Sequence, residues 1–224
     1  RVFRPLPLMP ALCSSARCAL LAALLCATTA LAADPLRTVA AIRALAHDEA
    51  ARGLPVKVEG VVTYFNAPQI EMMLHDGHDG LYVLLPKQLD GLPQFAAGDQ
   101  VLVEGVTQPG EFVPLISLSR LSVLGKGKMP EPHRIIEGEL FSPDLDCQWV
   151  ETPAVVVGAE NRKNGVFTLT VEASGHPVPV KIPWTSDAIS RAAELMQRPV
   201  MVRGSAGAIF NKQRQLTGRV LFVE

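Results

Sequence analysis

The densest run of chemically capable side chains is His75-Asp76-Gly77-His78-Asp79-Gly80. Two imidazoles and two carboxylates within six residues are donor types that bind divalent metals. The same run also suits a hairpin turn, because Asp-Gly steps supply the dihedrals that tight turns need and leave the histidines facing water. Neighbouring side chains on a turn diverge, and no further His or Cys is placed to complete a shell, so a turn and no metal is the expectation. Close by in sequence, Tyr64, Phe65, Met72 and Tyr82 could present a ligand-binding face. Aromatics stack on bases when basic residues flank them. Here the neighbours are Glu59, Glu71, Asp76 and Asp79, which repel phosphate and disfavour nucleic acid. Two basic spots, Asn161-Arg162-Lys163-Asn164 and Asn211-Lys212-Gln213-Arg214, could contact a small anion. For catalysis, Ser117, Ser119 and Ser122 only alternate with apolar residues as a half-exposed strand does, and there is no G-x-S-x-G, P-loop or H-E-x-x-H. No catalytic residue and no cofactor is therefore expected, and binding without chemistry is the function class that remains.

These residues must be positioned by strands. Val56, Val58, Val61 and Thr63 open a long strand with Gly60 inside it, as a small closed barrel needs where its first strand bends. Ile70–His75 and Leu81–Leu85 pair across the HDGHDG turn. A connection broken by Gly91 and Pro93 follows, then strands over 100–108 and 114–124. Five strands with the connection between the third and fourth is the order of an OB-like barrel. The pattern then restarts. WVETPAVVVGA answers PVKVEGVVT, GVFTLTVE answers IEMMLHD, and HPVPVKIP answers GLYVLLP. PVMVRGSA answers QVLVEGVT with Gly204 in the place of Gly105, and QLTGRVLFV answers the last strand. A repeat matched over this many elements predicts an all-β protein of two tandem OB-fold-like five-stranded barrels. In the second, the connection should hold a helix over 185–196 with Ile189, Ala192, Ala193 and Met196 facing inward. The divisions read as a helical lead-in over 33–53, a first barrel over 54–125, a linker over 126–147 and a second barrel over 148–224. In the lead-in, Thr38 is the expected cap of a first helical piece and Asp48 of a second that stops at Gly53.

Before all of this, Arg1, Arg4 and Arg17 precede an uncharged run from Cys18 to Ala33 with small residues at Ala30 and Ala32. That is the plan of a secretory signal peptide occupying 1–32, shorter in its apolar part than the roughly 20 residues a membrane span needs. Its removal takes three of the 21 basic residues and none of the 22 acidic ones, leaving a net charge of −4, which gives the chain no electrostatic reason to seek polyphosphate. Cys13, Cys18 and Cys26 go as well. Cys147 then remains alone, without an intramolecular disulfide or a cysteine-based zinc site, and is expected to be a small buried apolar residue. The last strand runs up to Glu224, and the sequence reads as a piece of a longer protein.

From Ala41 to Pro86 the chain resembles the extracytoplasmic N-terminal region of bacterial membrane-bound sensor histidine kinases. The resemblance rests on IRALAHDEAARGLPVKVEGVVTYF followed by LHDGHDGLYVLLP. In it, Ile42, Arg43, Leu45, Glu49, Gly53, Pro55 and the VxVxGVVT run from Val56 to Thr63 match the family's helical lead-in and first strand, and Asp76, Gly80, Tyr82 and Val83 match further on. It covers the first module well and the second by pattern only, and no membrane span or kinase core lies within these residues. The resemblance implies an exported, periplasmic input region that binds an unidentified ligand or envelope protein, with membrane attachment and catalysis only beyond Glu224. A freestanding periplasmic binding protein and a nucleic-acid-binding OB protein are the rival classes.

Overall fold

A computed structural model of the chain describes residues 34–162, 166–183, 187–213 and 215–223. The export signal read over 1–32 lies outside them. Five strands, β1 (Pro55–Asn66), β2 (Glu71–His75), β3 (Gly80–Leu84), β4 (Asp99–Gln108) and β5 (Leu115–Lys126), close into a barrel in the order β1-β2-β3-β5-β4. All pairings are antiparallel except β3 with β5, which is parallel and short. This order, with the long connection between β3 and β4, is that of the OB fold.

The second half repeats it. After the short β6 (His133–Arg134) come β7 (Trp149–Arg162), β8 (Val166–Ala173), β9 (His176–Pro183), β10 (Pro199–Phe210) and β11 (Leu216–Phe222). They run in the order β7-β8-β9-β11-β10, and β10 pairs back onto β7 to close the barrel, again with one parallel pair, β9 with β11. The two halves agree down to their irregularities. The β1–β2 register slips between Val62 and Tyr64, and the β7–β8 register slips between Val156 and Gly158. Bulges at the matching place bend each first strand so that it serves both sides of its barrel. The glycine pair noticed in the sequence has one shared cause. A Cβ on Gly105 would lie 2.1 Å from the Ser117 carbonyl oxygen, and one on Gly204 would lie 2.4 Å from that of Phe222, so each fourth strand crosses its fifth too closely for any side chain.

Each barrel has its own core. Val58, Val62, Met72, Leu74, Val83, Val103 and Ile116 fill the first, and Val156, Leu169, Val171, Val180 and Leu221 the second. In the lead-in, α1 (Val39–Arg43) is capped by Thr38 and buries Val39 and Ile42 against the first barrel. For α2 (His47–Ala50) the expected cap is displaced: Ala46 holds the cap position, the Glu49 carboxylate accepts from its N–H, and Asp48 sits in the first turn. In the second barrel α3 spans Ala188–Leu195; Ala192 is buried and Met196 packs on the core. Ile189 and Ala193 point to solvent instead of inward, because an eight-residue helix laid over a barrel end offers the core only a narrow stripe.

The segment over 126–147 is not a free tether. Ile135, Leu140 and Leu145 are buried in the second core, and β6 adds to β7 in parallel. Its apolar residues are irregularly spaced, which is why periodicity does not reveal them. Among the described residues, no helix is long and apolar enough to cross a membrane.

Candidate ligand-binding groove between the barrels

Alternation along β1 sends Val62 into the barrel, and after the bulge Tyr64 points outward. Some outward side chains of the first three strands meet the second barrel instead of solvent. Tyr64 and Met73 are buried against Val220 and Phe222 of the second barrel, with Tyr82 half-buried beside them. The Tyr64 and Phe222 rings lie 4.8 Å apart and tilted, a favourable aromatic geometry. The Tyr64 hydroxyl accepts from Asn66 Nδ2 at 3.1 Å. Behind the rings, the Ser205 hydroxyl donates to Thr63 Oγ1 at 2.9 Å, and both groups are fully buried.

A polar clasp closes one end of this seam. Arg43 Nη1 donates to the carbonyls of Gly80 (2.9 Å) and Asp146 (2.7 Å), tying α1, the β2–β3 hairpin and the second half together. Gln148 Nε2 donates to Asp79 Oδ1 at 3.0 Å. The backbones approach so closely that a Cβ on Gly80 would sit 1.8 Å from the Cys147 carbonyl oxygen, which explains a glycine there without any turn dihedral. Arg219, 1% exposed, donates through Nε and Nη2 to the carbonyls of Leu140 and Ser142 and lies 4.0 Å from Asp146. Burial pushes the Asp146 carboxyl up, although Arg219 and Arg43 pull the other way, and burial draws the Arg219 guanidinium down. The Cys147 thiol is buried and driven far up by desolvation, which makes it inert.

Where the barrels diverge, the seam opens into a groove. One part, about 290 Å³, lies between Met73 and Tyr82 of the first barrel and Gly207, Ala208, Phe210 and Phe222 of the second, with the β4–β5 loop over 110–113 along its side. Phe112 of that loop stacks on Phe210 with centroids 5.7 Å apart, bridging the two barrels. The adjoining part, about 490 Å³, shares Ala208, Phe210 and Phe222 and is bounded by Glu71 and Lys181. Lys181 Nζ lies 4.8 Å from the Phe222 ring centroid and 4.0 Å from a Glu71 carboxylate oxygen. Burial pushes the Glu71 carboxyl up, partly offset by Lys181, and burial followed by the Glu71 charge pushes up the Tyr82 hydroxyl.

The residues expected to form a ligand face are therefore divided. Met72 is fully buried in the first core, because β2 turns it inward. Tyr64 is fully buried in the seam, so neither is presented to a ligand. Phe65 is half-buried and packs on Phe95 of the β3–β4 connection, with centroids 4.3 Å apart, and does not line the groove. Of the four, Tyr82 lines the groove. Lys212 is exposed on the β10–β11 turn, where Asn211 accepts the Gln213 and Gln215 N–H groups and closes the loop on itself. Arg162 ends β7, while Lys163 and Arg214 lie outside the described residues. Phe112, Phe210 and Phe222 are the aromatic groove residues missing from the sequence reading. The pairing of a loop in one repeat with strands in the other leaves no local signal.

The HDGHDG turn does structural work. The Asp76 carboxylate accepts from the N–H groups of Val39 (2.8 Å), His78 (3.0 Å) and Asp79 (3.0 Å), so it caps α1 as well as its own turn. Burial would raise its carboxyl, but these backbone donors outweigh it and hold it below the usual range. His75 does not face water as expected. It is buried, its Nδ1 accepts from Gly77 N–H at 3.0 Å, and burial lowers its affinity for a proton.

No protein-family model and no curated protein matches this chain. Among solved structures it is similar to the hypothetical protein ygiW from E. coli, at 14% identity over 40% of this chain and 89% of that one, with a TM-score of 0.33. It is also similar to the p204 HINb domain (10% identity, 74% of this chain, 91% of that one, TM-score 0.31). A third is a murine DNA-binding protein bound with double-stranded DNA (9% identity, 74% and 92%, TM-score 0.32).

Proposed function

We propose that this tandem OB-fold chain is an exported input module of a bacterial signalling protein, specifically the extracytoplasmic region of a membrane-bound sensor histidine kinase. It binds a small molecule or an envelope protein partner and performs no chemistry itself. The observation that carries this reading is that the groove takes walls from both barrels. A ligand held there favours one arrangement of the barrels over others, and that preference is what a receptor converts into a signal. The resemblance over 41–86 and the signal-peptide pattern support the periplasmic placement and the kinase connection. Acidic groups at Glu71, Asp79 and Glu111 around the seam and groove argue against a nucleic-acid strand.

The test is to extend the reading frame past Glu224 at its source locus and to fractionate cells expressing the whole product. The expected result is a hydrophobic span followed by a kinase core, with residues 33–224 protected from protease until the outer membrane is opened. A frame that closes within a few residues sinks the kinase reading and favours a freestanding periplasmic binding protein. Cytoplasmic recovery, with affinity for single-stranded DNA falling steeply as salt is added, would favour the nucleic-acid class.

A further inference from the structure

The 290 Å³ part of the groove has a composition that selects among ligands. Small-molecule sites run from about 300 Å³ upward and combine apolar walls with a few polar groups, so this space fits a ligand at the small end. Four of its walls are aromatic: Tyr82, Phe112, Phe210 and Phe222. The charged side chains lining it, among the described residues, are both acidic, Glu111 and Asp146, and no lysine or arginine lines it. Asp146 is answered from behind by Arg219 and Arg43, so the field at the mouth is set by Glu111, which is exposed. Aromatic faces carry negative quadrupole charge, and with a carboxylate at the rim they attract cations that shed water easily. An anion meets repulsion here, and a hydrated metal ion finds few oxygens to replace its water.

The adjoining part of the groove already holds one ammonium in this way. Lys181 Nζ rests over the Phe222 ring at 4.8 Å with the Glu71 carboxylate 4.0 Å away. The neighbouring cavity repeats the same materials, aromatic rings with a carboxylate beside them, without a lysine of its own.

Resting on the binding-module reading above, we infer that the inter-barrel groove binds a small organic ammonium ion, its cationic head between Tyr82 and the Phe112–Phe210 pair and its charge facing Glu111. Phe112 links the two barrels: it is 48% exposed and sits on a loop of one barrel while stacking on a strand of the other. A cation seated beneath it ties that loop to the second barrel, which gives the ligand its leverage on the arrangement of the two.

The experiment is isothermal titration of the purified chain with choline and with 3,3-dimethylbutan-1-ol, its uncharged isostere, at fixed ionic strength. Choline is expected to bind about tenfold or more tightly than the isostere, the margin for a partly desolvated cation on aromatic faces. Phe112→Ala should weaken choline about tenfold, and Glu111→Gln about threefold while leaving the isostere unmoved. Both positions are exposed, and an unchanged melting temperature confirms that the variants are folded. Equal binding of the two probes, with both lost in Phe112→Ala, overturns the cation inference while leaving the groove a ligand site. Failure of choline to bind, or choline binding indifferent to Phe112→Ala, overturns it as well. The reading-frame test is independent of either result, so the two failures are distinguishable.

Discussion

The two barrels have matching cores and differ on one outer face. Aligned through their bulges and strand pairs, Val62, Leu74, Met72 and Val83 correspond to Val156, Val171, Leu169 and Val180, and all eight are buried. The outward positions part company. Where the first barrel has Tyr64, Met73 and Tyr82, the second has Gly158, Thr170 and Pro179. Tyr64 and Met73 are buried against the other barrel, with Tyr82 half-buried beside them, whereas all three of the second set are left partly exposed. Inward positions are thus set by the fold, whereas outward ones are set by what each barrel meets. The large outward aromatics of the first repeat mark a docking face within the chain.

The strongest way to break this comparison is to separate the barrels. A fragment ending after the first barrel uncovers Tyr64 and Met73, so it should bind a hydrophobic dye and aggregate where the intact chain does not. A dye-negative, monomeric first barrel would show the seam to be incidental. Next in size, Tyr64→Ala should cost about 3–5 kcal/mol in denaturant unfolding, as for other buried aromatics cut to alanine. A value under about 1 kcal/mol would place Tyr64 with solvent-facing side chains.

A smaller effect separates the two second-to-third-strand hairpins. The one in the second barrel closes through Ser174-Gly175 alone, both at positive φ, while the first carries the longer loop in which Asp76 holds α1. Asp76→Asn should cost about 1–2 kcal/mol at neutral pH by weakening charge-assisted hydrogen bonds. Because the Asp76 carboxyl is held low, its contribution is complete above the ordinary aspartate range, near about 4, and is lost as pH falls through the depressed value. The gap between wild type and variant should therefore close in acid. Glu71 and Asp146, pushed up by burial, act in the opposite sense and lose stabilisation as pH rises, so the difference between the two proteins, rather than the wild-type curve, isolates Asp76. A gap that widens in acid would contradict the assignment. Smallest of all, Gly158→Ala, at the position matching Tyr64, meets only the Thr170 side chain, with Cβ at 3.5 Å and Oγ1 at 3.7 Å, and should shift stability by less than about 1 kcal/mol.

The all-β tandem fold was legible because strand alternation and the repeat are local patterns, and Gly105 and Gly204 marked the same crossing twice. What was not legible depended on contacts between the repeats. Alternation says that Tyr64 points out of its barrel, but not that Phe222 waits there. The polar clasp shows the same limit: Arg43 and Gly80 matched a motif in sequence, yet both meet the backbone at Asp146 and Cys147, which lies 103 residues from Arg43 by its hydrogen bond. Phe112 went unnoticed because a lone aromatic in a Gly-Pro loop has no periodicity to belong to. His75 was misplaced because a turn reads as exposed unless something packs over it, and here Gln148, from the second half, hydrogen-bonds to it.

The buried hydroxyl pair of Thr63 and Ser205 joins residues 142 apart. Such a contact has a consequence for the order of events in folding. The first barrel can close on local pairings soon after its strands emerge, but its seam face has no cover until the tenth and eleventh strands have formed, and contacts this distant in sequence form slowly. A chain that emerges N-terminus first then passes through an interval in which a finished barrel displays Tyr64 and Met73 to its surroundings.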